Sequence, residues 1–164
     1  KLYTTYIRPK LEHNTPVWSP WLIKDISKIE SIQRSFTRRA CQRSGIKFSS
    51  YKDRLQKLNL KSLQYRRVSF DLILLFKIMH NLSDLNFYDF FIFRQIPYSF
   101  RGNTRKIDTI HTFKSSQWNN CFFSRVKTVW NALPFEISSI TSIQIFRSKL
   151  NSFDLTPYIK NNIA

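Results

Sequence analysis

Apolar residues recur every three or four positions along much of this chain, a spacing that is typical of helices. At 100° per residue, one set in the first half shares a single face. Ser19 and Pro20 precede that set and are expected to provide a cap and a first-turn proline. The pattern predicts an amphipathic helix over residues 22–43 whose buried face holds Leu22, Ile26, Ile29, Ile32, Phe36 and Ala40.

Other segments carry helix start and stop signals. Ser50 and Asp53 form a capping-box pattern, which predicts a short helix through residue 58. Ser62 is placed to cap the next helix, which contains neither Gly nor Pro as far as His80 and is expected to be the central buried one. Further helices are expected at residues 2–11, interrupted by Pro9, at 122–133, ended by Pro134, and after Ser142.

The remaining stretches predict turns and loops. Residues 14–18 are expected to form a turn that Trp18 and Trp21 anchor. Residues 83–114 mix many aromatic side chains with turn residues, which predicts loops with one or two short extended pieces. The fold class is therefore mainly α, a small helical bundle with an irregular aromatic-rich segment and one short hairpin at most. The expected core contains Ile29, Phe36, Leu72, Phe76, Trp130 and Phe146.

The change to an aromatic, turn-rich sequence after Asn81 divides the chain into two expected regions, a basic helical region at 1–82 and a carboxy-terminal extension at 83–164 with loops and two helices that pack on the same core. Lys and Arg number 27 against 10 Asp and Glu, a net charge of +17 that favours a polyanionic partner. Residues 1–70 hold 16 of the basic residues and 4 of the acidic ones. The candidate phosphate-binding residues are Lys24, Lys28, Arg34, Arg38, Arg39, Arg43, Lys47, Arg66 and Arg67, with a smaller patch at Arg101 and Arg105.

Each candidate has a plainer alternative. A run of cations is usually a solvated helix face, but the scarcity of acidic residues at i,i+4 favours binding here. The aromatic cluster at 87–100 is able to stack on unpaired bases, although core packing explains it better.

Several kinds of chemistry are disfavoured. Two glycines are too few for a Walker or Rossmann phosphate loop. The acidic residues are dispersed singly, so no two-metal centre or metal cofactor site follows from a local motif. Cys41 and Cys121 stand alone and are expected to be free thiols rather than zinc ligands. The longest apolar run, residues 72–76, is too short to span a bilayer, so no membrane partner is expected.

Three blocks of the sequence carry a family resemblance. Residues 2–39, 51–81 and 122–153 resemble the region after the palm in reverse transcriptases of jockey-like non-LTR (LINE) retrotransposons. The resemblance covers nearly the whole chain. It rests on the ordered combination Arg8-Pro9, Pro16-Val17-Trp18, Ile29-Glu30, Gln33-Arg34, Tyr65-Arg66-Arg67 and Trp130-Asn131-x-Leu133-Pro134.

The resemblance implies a thumb-like bundle and carboxy-terminal extension from an RNA-directed DNA polymerase. The Mg²⁺-binding palm motif, Tyr/Phe-Ala-Asp-Asp, is absent, so no catalytic residue or cofactor is assigned to these 164 residues. The implied partners are the palm and the template–primer RNA–DNA hybrid, or an RNA or DNA backbone, in a nuclear or cytoplasmic ribonucleoprotein. An A-like hybrid is best held through phosphates and shape.

Other interpretations stay open. The chain begins without Met and is expected to be a fragment or processed piece of a longer protein. A domesticated or remnant fragment would act as a freestanding RNA-binding or protein-scaffold module. A translated relic would have no function. An independent hydrolase or nuclease is the least favoured interpretation.

Overall fold

The fold is mainly α-helical in a computed structural model that describes residues 2–94, 105–111 and 114–159. A π-helical turn, Tyr3–Ile7, precedes the first α-helix, and 3₁₀ turns lie at Phe87–Asp89 and Thr156–Tyr158. The described residues form helices α1 (Arg8–Glu12), α2 (Thr15–Trp18), α3 (Ile23–Arg43), α4 (Tyr51–Lys57), α5 (Leu63–Met79), α6 (Ser116–Asn120), α7 (Phe122–Ala132), α8 (Phe135–Ser138) and α9 (Ile143–Ser152) and strands β1 (Phe91–Phe93) and β2 (Ile107–Thr109). The mainly-α expectation, with one short hairpin, is confirmed.

Two of the predicted helix caps are present. The Ser50 hydroxyl accepts the N–H of Asp53 at 3.1 Å and begins α4. The Ser62 hydroxyl accepts the N–H of Tyr65, also at 3.1 Å, at the start of α5. These side chains satisfy N–H groups that a helix cannot satisfy itself, which explains why both starts were readable from sequence.

The helix α3 begins within one residue of its predicted start, but the predicted cap at Ser19 and Pro20 is wrong. Leu22 is its N-cap residue, and no side chain caps this helix. Ser19 instead closes α2, because its N–H donates to the Thr15 carbonyl at 2.9 Å. The predicted end at Arg43 is confirmed.

The amino-terminal segment is more helical than expected. The expected turn at residues 14–18 contains α2, which begins after Asn14 in a left-handed conformation with φ of 51°. Before Pro9, the expected helix is a π-helical turn rather than a regular α-helix. A proline removes one N–H and disturbs the preceding turn, which accounts for this irregularity. The short helices α6 and α8 were not predicted.

The fold comprises two compact units. The first contains the described residues up to Val68 and those from Leu155 onward, and the second is Ser69–Asp154. The division falls within α5. It differs from the division expected after residue 82.

The second unit has an aromatic core. Phe76 of α5 stacks on Phe146 of α9 with ring centroids 4.4 Å apart, and Trp130 of α7 lies 6.1 Å from Phe146. The indole N–H of Trp130 donates to the Arg105 carbonyl at 2.9 Å, beside the antiparallel β1–β2 pair. The side-chain amide of Asn131 bonds both backbone groups of Ile107, at 2.9 and 2.8 Å. The Trp-Asn pair therefore fastens α7 to the hairpin.

The first unit has a partly polar core, and here the predicted face of α3 is wrong. The buried residues of α3 are Ile26, Glu30, Gln33, Thr37 and Cys41. Their centre is rotated by roughly 75° from the predicted apolar face at 100° per residue. Ile29 and Phe36 are only half-buried and Leu22 and Ile32 are exposed, whereas Leu72, Phe76, Trp130 and Phe146 are buried as expected.

No helix among residues 2–94, 105–111 and 114–159 is long and apolar enough to cross a membrane.

Candidate nucleic-acid interface

The solvent-facing side of α3 is the candidate interface. At 100° per residue, Lys24, Lys28, Arg38 and Arg39 lie on the side opposite Glu30 and Gln33, and all four are exposed. The exposed side chains of Ser31 and Ser35 separate the two pairs of cations, and Gln42 follows the second pair. We call this surface the outer face, and it consists of Lys24, Lys28, Ser31, Ser35, Arg38, Arg39 and Gln42. It extends roughly 27 Å along the helix, at 1.5 Å per residue.

A buried carboxylate on the opposite side of α3 fixes the helix against its neighbours. Glu30 accepts the Tyr51 hydroxyl at 2.6 Å through Oε1. The same side chain accepts the first N–H groups of α5, from Leu63 at 3.1 Å and from Gln64 at 3.3 Å. A negative charge is favourable at a helix N-terminus, where N–H groups lack partners. The Glu30 carboxylate is therefore buried and bonded to groups of α4 and α5.

Gln33 extends this network by one helical turn. Its Oε1 accepts the Tyr3 hydroxyl at 2.8 Å, and its Nε2 donates to the Tyr51 hydroxyl and to the Lys61 carbonyl, both at 3.0 Å. Burial, with the nearby charge of Glu30, raises the pKa of both tyrosines above the usual value. Both hydroxyls therefore stay protonated and able to donate. These directional bonds permit one rotation of α3, which directs the outer face to solvent.

Two other carboxylates of the first unit, Glu12 and Asp53, are bound within the unit. Glu12 pairs with Arg66 through two hydrogen bonds, one of them at 2.9 Å from Nη2, and Arg8 lies 3.9 Å away. Asp53 pairs with Lys57 at 2.9 Å, and this hydrogen bond holds the pKa of Asp53 below its usual value. Within the described chain, no salt bridge joins a cation of the outer face to a carboxylate. The outer face consequently keeps its positive charge.

The remaining candidates of the first unit are in different surroundings. Arg43 and Lys47 are exposed at the end of α3 and in the loop that follows. Arg34 is half-buried, with its guanidinium 5.0 Å from the centre of the Tyr51 ring. Arg66 is bound to Glu12, and Arg67 is only 3% exposed. The exposed candidate cations of the first unit therefore lie on α3 and in the loop that follows it, whereas Arg66 and Arg67 are bound or buried elsewhere.

The smaller predicted patch lies in the second unit. Arg105 is half-buried there, and its carbonyl accepts the Trp130 indole N–H. Arg101 lies outside the described residues.

An exposed apolar segment precedes the outer face and was missed by the sequence analysis. Trp18 and Trp21 are 42% and 40% exposed, so neither ring is a core residue, although the Trp18 indole N–H bonds the His13 carbonyl as an anchor at this junction would. The segment also includes Val17, which is 86% exposed. The clue in the sequence was the break in periodicity at Ser19-Pro20, which separates these residues from the regular spacing of α3. The exposed apolar segment consists of Val17, Trp18, Trp21, Leu22 and Ile23.

Two further features of the described residues concern metal ligands and cavities. No group of three His, Cys, Asp or Glu side chains among them is placed to hold a metal ion. A shallow cavity of about 490 Å³ in the second unit is lined by Lys114, Ser115, Gln117, Trp118 and Cys121. The described lining offers one cation and no carboxylate. Cys41 and Cys121 are free thiols, as expected.

Comparison with known proteins gives one partial similarity. The chain is 35% identical over 68 residues to the Caenorhabditis elegans protein described as uncharacterized protein B0403.1. This match covers 42% of the chain and 34% of that protein's length. No family model matches the chain. No solved structure matches it either.

Proposed function

We propose that this chain is a nucleic-acid-binding module that holds a template–primer duplex by its phosphates, in the manner of a polymerase thumb. The observation that carries the proposal is the outer face of α3, where Lys24, Lys28, Arg38 and Arg39 are exposed and lack carboxylate partners in the described chain. Phosphate contacts from such cations supply most of the affinity of a sequence-independent grip.

Rigidity of the helix supports the same proposal. The contacts of Glu30 and Gln33 hold the opposite side of α3 to α4 and α5. A cationic helix that is already fixed in one rotation loses little further entropy when it meets a duplex. The proposed contacts exclude Arg66 and Arg67, because the first is bound to Glu12 and the second is buried.

The proposed parent is an RNA-directed DNA polymerase of a non-LTR retrotransposon. This step rests on the sequence resemblance, which covers three blocks and most of the chain. Under this proposal, Mg²⁺ and the catalytic carboxylates belong to a palm that lies outside these 164 residues. The preferred ligand is an RNA–DNA hybrid, whose A-like helix offers regular phosphate ridges.

The test is binding to a blunt RNA–DNA hybrid and to single-stranded RNA over a range of salt concentrations. The variant replaces Lys24, Lys28, Arg38 and Arg39 with Ala. We expect tighter binding to the hybrid than to the single strand. If all four cations contact phosphate, the magnitude of the slope of log affinity against log salt should be smaller by about 3 to 4 in the variant than in the native chain.

A control variant removes three cations, one fewer than the test variant, from exposed positions elsewhere. Lys10, Arg147 and Lys149 are exposed and belong to no salt bridge within the described residues. Their replacement with Ala should leave the slope almost unchanged. Equal losses from both variants would mean that the net charge of +17 acts only as a diffuse attraction, and would contradict the proposal.

A further inference from the structure

Two indole rings stand at the solvent surface immediately before the outer face. Trp18 and Trp21 are each about two-fifths exposed, although tryptophan carries the largest apolar side chain of the twenty residues. Exposed apolar clusters of this kind mark surfaces that meet a ligand or partner. The cluster is short, because it runs from the last two residues of α2 to the first residue of α3 and is interrupted by Ser19 and Pro20.

One of the two rings is held in place. The Trp18 indole N–H donates to the His13 carbonyl at 2.6 Å, across the turn that joins α1 to α2. This bond satisfies the polar edge of the ring and restrains its rotation. A restrained ring whose surface remains exposed is preorganised to stack on another flat group, at little further cost in entropy.

The charges beside the rings indicate the kind of ligand. Lys24 and Lys28 follow the apolar segment within two turns of helix, and both are exposed. Asp25 is the single acidic residue between His13 and Ile29. An anionic ligand with flat apolar faces therefore fits this surface, and unpaired nucleotides have both properties because each carries a phosphate and a base.

We propose that Trp18 and Trp21 stack on unpaired bases of a single-stranded extension while Lys24 and Lys28 hold its phosphates. This inference rests on the proposed function, because it places the extension next to the duplex bound by the outer face. It assigns the apolar segment a nucleic-acid ligand and gives the module a preference for duplexes that end in an unpaired tail.

The test compares a blunt RNA–DNA hybrid with the same hybrid carrying a short single-stranded RNA tail, using the full chain. Trp18→Leu with Trp21→Leu keeps apolar bulk but removes the flat ring faces. Trp18→Phe with Trp21→Phe keeps an aromatic face. Val17→Ser removes the most exposed apolar side chain of the segment and leaves both tryptophans in place.

We expect the tailed hybrid to bind more tightly than the blunt one. The double Leu variant should lose roughly 5- to 100-fold in affinity for the tailed hybrid per stacked base. The double Phe variant should retain most of the preference, and Val17→Ser all of it. A tail of abasic sites should bind no better than the blunt hybrid, and tail binding should quench tryptophan fluorescence in the native chain but much less in the double Leu variant.

The outcomes separate this inference from the proposed function. In one outcome, binding to the blunt hybrid depends on Lys24, Lys28, Arg38 and Arg39, but the tail does not increase affinity through the tryptophans. That result supports the proposed duplex binding and overturns the stacking inference. If tail binding depends on the rings while the cations of α3 leave blunt binding unchanged, stacking stands and the duplex grip fails. If Val17→Ser abolishes the tail preference as fully as the double Leu variant, the segment is a general apolar contact surface and the inference is wrong.

Discussion

The two units bury different kinds of side chain under their longest helical segments. In the first unit, the hidden side of α3 presents Glu30 and Gln33 to Tyr51 and to the start of α5. In the second unit, α5 presents Phe76 to the rings of α9. Apolar packing tolerates small rotations and repacking, whereas a hydrogen-bond network has one satisfying geometry. The polar interior therefore fixes the orientation of α3, and with it the direction of its cations.

The aromatic interior should be the more sensitive of the two to truncation. Replacing Trp130 with Ala removes a fully buried ring and its bond to the Arg105 carbonyl. We expect a loss of about 3 to 5 kcal/mol in the free energy of unfolding, measured by urea denaturation. Trp21→Ala, at an exposed position, should change stability by less than about 0.5 kcal/mol. A loss at Trp130 as small as that expected at Trp21 would indicate that Trp130 is not a core residue.

The polar interior should respond strongly to loss of its carboxylate. Glu30→Leu leaves the Tyr51 hydroxyl and the N–H groups of Leu63 and Gln64 without their acceptor. The expected cost is about 3 kcal/mol, with a smaller loss for Glu30→Gln, which keeps one oxygen. Asp25→Leu, on the same helix, provides the control and should cost little. A neutral or stabilising Glu30→Leu would mean that packing, not hydrogen bonding, fixes α3.

Alkaline pH should destabilise the first unit through its buried tyrosine hydroxyls, and this effect is smaller than that of the substitutions above. The raised folded-state pKa of Tyr51 means that, above about pH 10, the unfolded chain loses this proton while the folded chain keeps it. Stability contributed by the neutral hydroxyl is fully present below that pH and falls as pH rises, by up to about 1.4 kcal/mol per pH unit. Tyr51→Phe should make the fall less steep, with the remainder due in part to Tyr3, whose pKa is also raised, as measured by urea denaturation across pH.

The control for the alkaline experiment is Tyr88→Phe, because Tyr88 is exposed in the second unit. We expect its stability profile to follow that of the native chain. A Tyr51→Phe profile with the native slope would show that the network around Glu30 does not hold the hydroxyl proton.

The smallest expected effects come from a helix cap in each unit. Ser50 caps α4, which buries Tyr51 and Leu55, whereas Ser115 caps α6, which has no buried residue. Ser50→Ala should cost about 1 kcal/mol of global stability by thermal unfolding. Ser115→Ala should cost less, because α6 is able to fray without disturbing a core. The reverse order would contradict this assignment of buried and peripheral helices.

Local signals in the sequence located most of the long helices. Ser50, Ser62 and Pro134 identified helix ends because caps and prolines act through neighbouring backbone groups. Much of the core of the second unit was also predictable, since its large buried residues Leu72, Phe76, Trp130 and Phe146 are apolar and lie at helical spacings. These features need no knowledge of distant contacts.

The orientation of α3 could not be predicted from local sequence signals. A pattern of apolar residues cannot reveal that Glu30 is buried, because its partner at Leu63 lies 33 positions away. The same limit explains Arg66, whose partner Glu12 is 54 positions away. The exposed cations were located better, because charges without a buried partner must face solvent.

The central claim is that four cations on one face of α3 hold nucleic-acid phosphates. The most direct measurement is the salt dependence of RNA–DNA hybrid binding by the native chain, the variant lacking Lys24, Lys28, Arg38 and Arg39, and the control lacking Lys10, Arg147 and Lys149. We predict that the magnitude of the slope of log affinity against log salt decreases by about 3 to 4 in the first variant and by less than about 1 in the control. Equal slopes in the two variants would contradict the claim.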